Sequence, residues 1–478
     1  MQKFYVTTPI YYVNDVPHIG HAYTTIMADV IARWYRLKGL HVFFLTGTDE
    51  NSFKTLQGAK KFGFDDVKEY ADHMAKQWKK TWKELGISYD DFIRTTEPRH
   101  KKKVREFFNK IMENGDIYKG KYTGLYCDGC ETFLTESELV KGLCPLHKTP
   151  PRQVSEENYF FRLSKYSDKL LKHIKENPDF ILPKTRRNEV VSFIKSGLKD
   201  ISISRPGSGW GIKLPNDETH VFWVWFDALI NYISAGEKFW PADVHLMAKD
   251  IIRFHAVIWP AMLMSAGYEL PRRIFAHGFF TINGQKISKS LGNAIDPVIL
   301  AKKYSIDALR YFFVREIPFG EDGDFSEESL KRRLNNELAN DLGNLLYRTL
   351  TLAERFKGKI EGDNELEGCL RFKKIDKYMD QLKFHKAMDE IWFFVKACNK
   401  YINEKEPWKL KGDELSNVLY NLLESLRIIS ILIDPFMPET SKKMREQLGI
   451  RSQDLSMIRF GEFKGKPRRG EILFRKVE

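Results

Sequence analysis

Cysteine is scarce, with five in 478 residues. That count argues against a disulfide framework and leaves the cysteines to metal or core roles. No run approaches the ~20 consecutive apolar residues a bilayer span needs, and the start Met1-Gln2-Lys3-Phe4 lacks a signal-peptide layout. The expectation is a cytoplasmic protein with no membrane partner. Internal repeats and low-complexity tracts are missing as well. Hydrophobic residues (42%) and charged residues (29%) are ample, which excludes a disordered chain. At roughly 150 residues per domain, the length suggests about three domains. A chain of this size buries about three quarters of its unfolded surface, so it needs no covalent staples. One charge sign is in excess: 77 Lys and Arg face 64 Asp and Glu, a net +13. The excess favours a polyanionic partner, nucleic acid first, over the alternative of plain solubility.

The first sixty residues predict strand, loop, helix, strand. Lys3–Thr8 is β-rich, and the loop from Pro9 to Gly20 is punctuated by Pro, Asn and Gly. From His21 to Leu37, Ala22, Ile26, Val30 and Trp34 recur at helical spacing, and His41–Thr46 reads as a buried parallel strand. This βαβ opening predicts the α/β class. From Asp116 to His220 the texture changes to Tyr, Gly and Cys followed by a Lys-rich stretch, as expected of an insert splitting a sheet. Val221–Phe226 and Val244–Met247 then read as strands and His255–Ala266 as a helix. Beyond Phe325, Leu334, Leu338, Leu342, Leu345, Leu346 and Leu350 predict an all-α bundle.

Two short stretches point to phosphate chemistry. Pro17-His18-Ile19-Gly20-His21 lies where the first loop meets the first helix, whose unpaired N–H groups suit a triphosphate. Asn283-Gly284-Gln285-Lys286-Ile287-Ser288-Lys289-Ser290 sets two ammonium groups on a Gly-flanked loop; a solvated basic turn is the bland alternative. As a pair they resemble the HIGH and KMSKS motifs of class I aminoacyl-tRNA synthetases, with Ile287 in place of Met. Thr7 to Asn14, Phe44 to Glu50, Trp225-Phe226-Asp227-Ala228 and Lys249 to His255 extend the resemblance over essentially the whole chain. The family it most resembles is the methionyl-tRNA synthetases, in the bacterial form with one zinc knuckle.

That resemblance implies a Rossmann-like parallel-sheet catalytic domain in two halves, 1–115 and 221–265, split by a connective insert with a zinc knuckle at 116–220. A stem-contact region with the KISKS loop at 266–325 and a helical anticodon-binding domain at 326–478 follow. It also implies ATP-dependent ligation of L-methionine to tRNA(Met), initiator included, through a methionyl-adenylate. Neither step needs a protein nucleophile, so catalysis rests on positioning and charge stabilisation. The implied catalytic groups are His18, His21, Lys286 and Lys289. ATP is expected on these with Gly20, Asp250 and Ser288, accompanied by Mg²⁺. Methionine is expected against Ile10, Tyr12, Trp225, Ala228, Leu229, Tyr232, Ile251 and His255, with Asp49 on its ammonium and the Tyr12 hydroxyl or His255 ring donating to the thioether. At one place the chain departs from the family: Asn51-Ser52 follow Glu50 where His-Gly is usual. Asn51→His is expected to preserve or raise pyrophosphate exchange.

Cys127-x₂-Cys130 and Cys144-x₂-His147 make a tetrahedral ligand set for one structural zinc; a redox Cys-x-x-Cys is the alternative, which has no use for the second pair. Cys398 lies in an apolar helix and is expected in the core. Asn344 and Arg348 stand one turn apart on a helix, and Trp408 follows the break at Pro407, free to stack on a base. These three match the family's anticodon contacts; a buried Trp with a surface Asn/Arg pair is the alternative. The basic stretch Arg99-His100-Lys101-Lys102-Lys103 with Arg105 reads either as a contact for the tRNA acceptor arm or as a solvated helix face, and no role is assigned to it. Two rivals remain, a small-substrate adenylyltransferase and a catalytically impaired RNA-binding paralogue. A sequence ending at Glu478 lacks the extra oligonucleotide-binding module that dimerises many relatives, so a monomer is expected.

Overall fold

Lys3–Tyr12 forms β1, buried along most of its length, as a strand covered on both faces must be. The structure, a computed structural model, describes residues 2–130, 132–134, 136–145, 147–207, 209–282, 285–286, 295–451 and 454–478. After β1 comes α1 (Ile19–Leu37), whose Ala22, Ile26, Val30 and Trp34 are all buried, then β2 (His41–Asp49) and β3 (Asp91–Arg94). These strands belong to a six-stranded sheet in the order β3, β2, β1, Val244–Ala248, Ile274–His277, Ile181–Leu182, with every neighbouring pair parallel. From β1 the chain moves one way to β2 and later the other way to Val244–Ala248. The carboxyl ends of these two neighbours of β1 therefore flank a topological switch point, the place where open α/β sheets bind ligands.

Between β3 and Val244 lie two smaller antiparallel sheets. One contains Ile117–Cys127 paired along its length with Arg152–Phe161; the other joins Ser204–Pro206, Asp217–Phe222 and Lys213–Leu214. Ile181–Leu182, which falls inside the stretch 116–220, returns to the edge of the parallel sheet. The expectation of a strand at Val221–Phe226 is corrected. The strand Asp217–Phe222 ends in the small sheet, and Trp223 turns the chain by accepting the amides of Phe226 (3.0 Å) and Asp227 (3.2 Å), opening the helix Val224–Leu229. Both outcomes bury a short apolar run on all sides, so periodicity does not separate them.

The C-terminal part is helical. Leu334, Leu338, Leu342, Leu345, Leu346 and Leu350 are all buried, along a π-helical stretch, Leu334–Gly343, that runs into the α-helix Asn344–Arg355. They share one core with Ile26, Val30 and Trp34 of α1. Gly412–Leu432 is, among the described residues, a helix long and apolar enough by composition to cross a membrane, although the sequence showed no unbroken run. It is 83% buried over its most apolar window and encloses the ion pair Glu424–Arg427 (2.7 Å), as a core helix would. Arg310 anchors α1 to this half of the molecule. It donates to Asp29 of α1 (2.7 Å) and to the carbonyls of Phe436 (2.8 Å) and Pro435 (2.9 Å). Burial alone would raise the Asp29 carboxyl; Arg310 and Arg33 bring it down to about 2.

Candidate active site

The loop from Val13 to Pro17 is held by the helix Val67–Glu84. Tyr70 Oη donates to the Val13 carbonyl (2.8 Å), Trp78 Nε1 donates to that of Asp15 (3.1 Å), and the Tyr11 ring stacks on Trp78 at 4.9 Å. So fixed, the loop delivers His18 as the N-cap of α1. Its Nδ1 accepts from Gly20 N–H (3.1 Å), while His18 N–H donates to His21 Nδ1 (3.2 Å) and the two rings stack at 3.8 Å. An Nδ1 that accepts a backbone proton leaves the ring proton of a neutral imidazole on Nε2. Both imidazoles are thereby set as Nε2–H donors. A Cβ at Gly20 would come within 3.0 Å of His18 Cε1, so a side chain there would displace the ring.

The described residues on either side of the KISKS stretch are tied to the catalytic half. Its start, Gln285–Lys286, pairs antiparallel with Phe280–Ile282, with Lys286 opposite Thr281. The described chain resumes at Ile295, whose carbonyl accepts Ile19 N–H of α1 at 3.0 Å. Ser288 and Lys289 lie outside the described residues, as does the Lys286 side chain. The strand leading to this region is tied to α1 as well. Thr24 Oγ1 donates to His277 Nε2 and His277 Nδ1 donates to the Gly278 carbonyl, both at 2.7 Å. Burial lowers the His277 pKa to about 4 and keeps the ring neutral. Asp250 is exposed in the turn Lys249–Ile251, just past the end of Val244–Ala248 at the switch point.

Across the switch point the residues expected around methionine come together. Ile10 and Tyr12 share one face of β1, and Tyr12 is in register with the buried Asp49 on β2. Trp225, Ala228, Leu229 and Tyr232 follow one another at positions i, i+3, i+4 and i+7, a single stripe along consecutive helical turns. Trp225 stacks on Phe254 (3.8 Å, 1°) and meets the His255 ring edge-on at 6.2 Å. His255 sits in a π-helical turn, a distortion frequent at functional sites. Its role is corrected in one respect. His255 Nδ1 lies 3.0 Å from the Ile251 carbonyl and must donate there, so Nε2 accepts from Tyr232 Oη (2.7 Å). Burial lowers the pKa to about 4, so no second ring proton is present at neutral pH. The ring therefore has no donor for a thioether, and Tyr12 remains of the two candidates. Below, His245 donates to Thr7 Oγ1 (2.7 Å) and accepts from Trp259 Nε1 (3.4 Å).

Sequence reasoning passed over a buried polar network beside Asp49. His100, grouped with a basic surface stretch, is fully buried: its Nε2 lies 2.6 Å from Asp227 Oδ1 and its Nδ1 2.9 Å from Ser234 Oγ. Its spacing to Val104, Phe107, Phe108 and Ile111, the buried face of Pro98–Glu113, is the signal that would have found it. Asn51 Nδ2 donates to Asp227 Oδ2 (2.7 Å) and to the Thr95 carbonyl (3.2 Å). The neighbouring Glu50 is fixed separately by Arg94 (2.7 and 3.0 Å).

Cys127, Cys130, Cys144 and His147 converge, with all four ligand atoms within 4.8 Å of one another. Cys130 Sγ lies 3.5 Å from Cys144 Sγ and 3.2 Å from His147 Nδ1; the His147 distances to Cys144 and Cys127 are 3.8 and 4.0 Å. A tetrahedral zinc with bonds of ~2.3 Å to sulfur and ~2.1 Å to nitrogen sets its ligands ~3.6–3.8 Å apart, so the residues fit that ion. A Cβ at Gly129 would lie 2.4 Å from His147 Cγ, so the first knuckle needs glycine for the second to close on it. The Arg205 guanidinium lies 5.1 Å from the Tyr126 ring and 4.6 Å from Phe133, joining the knuckle hairpin to the strand Ser204–Pro206. Cys398 is in the core, where burial pushes its thiol up to about 12.

At the helical end, Asn344 is exposed, Arg348 Nη2 donates to Asn403 Oδ1 (3.1 Å), and its guanidinium lies 5.7 Å from the Trp408 ring. Trp408 is 53% exposed. Glu406 adopts φ 45°, a left-handed conformation that ends the preceding helix and turns the chain toward Trp408.

A family model described as "tRNA synthetases class I (M)" matches residues 4–150 and 146–350, and one described as "Anticodon-binding domain of tRNA ligase" matches 371–462. With the parallel sheet and the donors at α1, these define a class I aminoacyl-tRNA synthetase. The methionine–tRNA ligase of Caldanaerobacter subterraneus subsp. tengcongensis is 51% identical over 100% of this chain and 79% of its own length; that of Thermotoga maritima is 49% identical over 100% and 80%. The structure of Mycobacterium tuberculosis methionyl-tRNA synthetase in complex with methionyl-adenylate superposes with a TM-score of 0.95 at 41% identity, covering 99% of this chain and 100% of that one. The free form of that enzyme gives 0.86 at 38% identity, covering 100% and 99%. The chain belongs to the methionine–tRNA ligase family.

Proposed function

We propose that this member of the family activates methionine with ATP at the N-terminus of α1 and passes it to tRNA(Met). The observation that carries this reading is the pair of imidazoles locked as Nε2–H donors at the switch point, where the Ile295 carbonyl also meets the start of α1. A methionine carboxylate oxygen attacks the α-phosphorus and pyrophosphate leaves. A ribose hydroxyl of the terminal tRNA adenosine then attacks the carbonyl carbon and AMP leaves. Negative charge grows on the phosphates in the first step, and His18, His21 and the backbone at Gly20 meet it with donors, Lys286 and Lys289 with cations. Mg²⁺ accompanies ATP and neutralises part of its charge. Ser288 and Asp250 complete the nucleotide subsite. Asp49 holds the methionine ammonium, and Ile10, Tyr12, Trp225, Ala228, Leu229, Tyr232, Ile251 and His255 enclose its side chain. The test is ATP–pyrophosphate exchange without tRNA. Exchange is expected with methionine and not with leucine or cysteine; no exchange with any amino acid would refute the reading.

Zinc held by Cys127, Cys130, Cys144 and His147 would cross-link two loops and leave no open coordination position, so its contribution is to folding. One zinc per chain is expected by elemental analysis, and Cys130→Ser should release it; an unchanged zinc content would place the metal elsewhere. Asn344, Arg348 and Trp408 read the anticodon, and a reader of those bases serves initiator and elongator tRNA alike. All of these sites are built from one chain, in keeping with a monomer, and translation places it in the cytoplasm. The division at 1–115, 116–220, 221–265, 266–325 and 326–478 follows the same roles.

A further inference from the structure

Asn51 joins two walls that carry different parts of the proposed methionine subsite. On one side is the loop after β2: Asn51 N–H donates to Asp49 Oδ1 (3.4 Å), the carboxylate proposed to hold the ammonium. On the other is the helix Val224–Leu229, which carries Trp225, Ala228 and Leu229. Its Asp227, only 1% exposed, accepts from Asn51 Nδ2 at 2.7 Å and faces His100 Nε2 at 2.6 Å on its other oxygen. The second Nδ2 proton goes to the Thr95 carbonyl (3.2 Å), beyond the end of β3. One carboxamide thus links three separately folded segments, and both of its protons are used.

We infer that Asn51 is a positioning residue of the methionine subsite, setting the gap between the Asp49 carboxylate and the Trp225 helix through its bond to Asp227. This rests on the methionine assignment above. The bond crosses between two elements the substrate must touch at once, so its loss loosens the grip on methionine and leaves the triphosphate contacts at α1 in place. A histidine here retains an N–H for Asp227, whereas an aspartate sets a second carboxylate against the first. Among the described residues, the charged or titratable groups bonded to this network are His100 on Asp227 and Asp49 on the Asn51 amide; the adjacent Glu50 is held by Arg94, which also pairs with Asp72 (2.5 Å). Two carboxylates at hydrogen-bond distance cannot both stay ionised without penalty, and one shared proton restores the bond.

The experiment is methionine-dependent pyrophosphate exchange on the intact chain, with methionine and ATP varied separately. Asn51→Ala should raise the methionine KM about tenfold and change the ATP KM less than twofold, and Asn51→His should stay within about threefold of the parent. For Asn51→Asp, the methionine KM relative to the parent at the same pH should fall at least about threefold from pH 8 to pH 5.5. An unchanged methionine KM in Asn51→Ala, an equal rise for ATP, a histidine variant as impaired as the alanine one, or a pH-independent aspartate ratio would each overturn the inference. A parent chain without exchange would instead refute the functional reading beneath it.

Discussion

Replacing His18 by asparagine is expected to slow methionine-dependent pyrophosphate exchange ~100-fold while leaving the methionine KM and the melting temperature close to those of the parent. Asparagine is among the best N-cap residues, and its carboxamide oxygen can accept from Gly20 N–H as His18 Nδ1 does at 3.1 Å. The helix start is therefore preserved. The Nε2–H is lost, because the carboxamide nitrogen ends one ring atom short of it. Removing one preorganised donor from a site of developing charge costs about 3 kcal/mol in the transition state. The proposed methionine subsite is on the other side of the switch point, against β1 and the Trp225 helix, so methionine should bind as before. Stopped-flow measurement of adenylate formation gives the rate, and a thermal melt reports the fold. Equal losses in methionine affinity and rate would contradict the role given to His18.

The second large effect concerns the opposite end of the molecule. Trp408→Ala should reduce kcat/KM for tRNA aminoacylation by a factor of ~10–100, the range for losing one base–aromatic stack, with exchange unchanged. The ring is 53% exposed, so truncation opens no cavity in the core. Its surroundings suit an unpaired base, since the Arg348 guanidinium and the Asn403 carboxamide offer polar groups beside a flat apolar face. A matched loss in exchange and aminoacylation would show that Trp408 supports the fold and does not read RNA.

Much of this was legible in the residues. Short contiguous stretches carried the donors at α1, the two cysteine knuckles and the leucine spacing of the C-terminal helices, because helix termini, tight turns and a 3.6-residue period are local properties. The run Val221–Phe226 was misjudged because a strand and a helical turn bury the same apolar residues. The fate of Ile181–Leu182 was hidden because the parallel partner that makes it a strand, Ile274–Phe275, lies some ninety residues later. His100 was misplaced because adjacent lysines masked its helical phase. The proton positions on His255 were out of reach, being set by Ile251 and Tyr232 through the fold.

Taken alone, the residue order determined the family, the α/β-then-helical layout and the chemical types at the site, since each depends on groups close together along the chain. Only the tertiary structure decided which nitrogen of each histidine bears its proton, that Asn51 bridges Asp227 and Thr95, and that α1 shares a core with the anticodon end. Hydrogen bonds and burial between segments far apart in sequence settle such questions, and no local pattern encodes which distant partner will arrive.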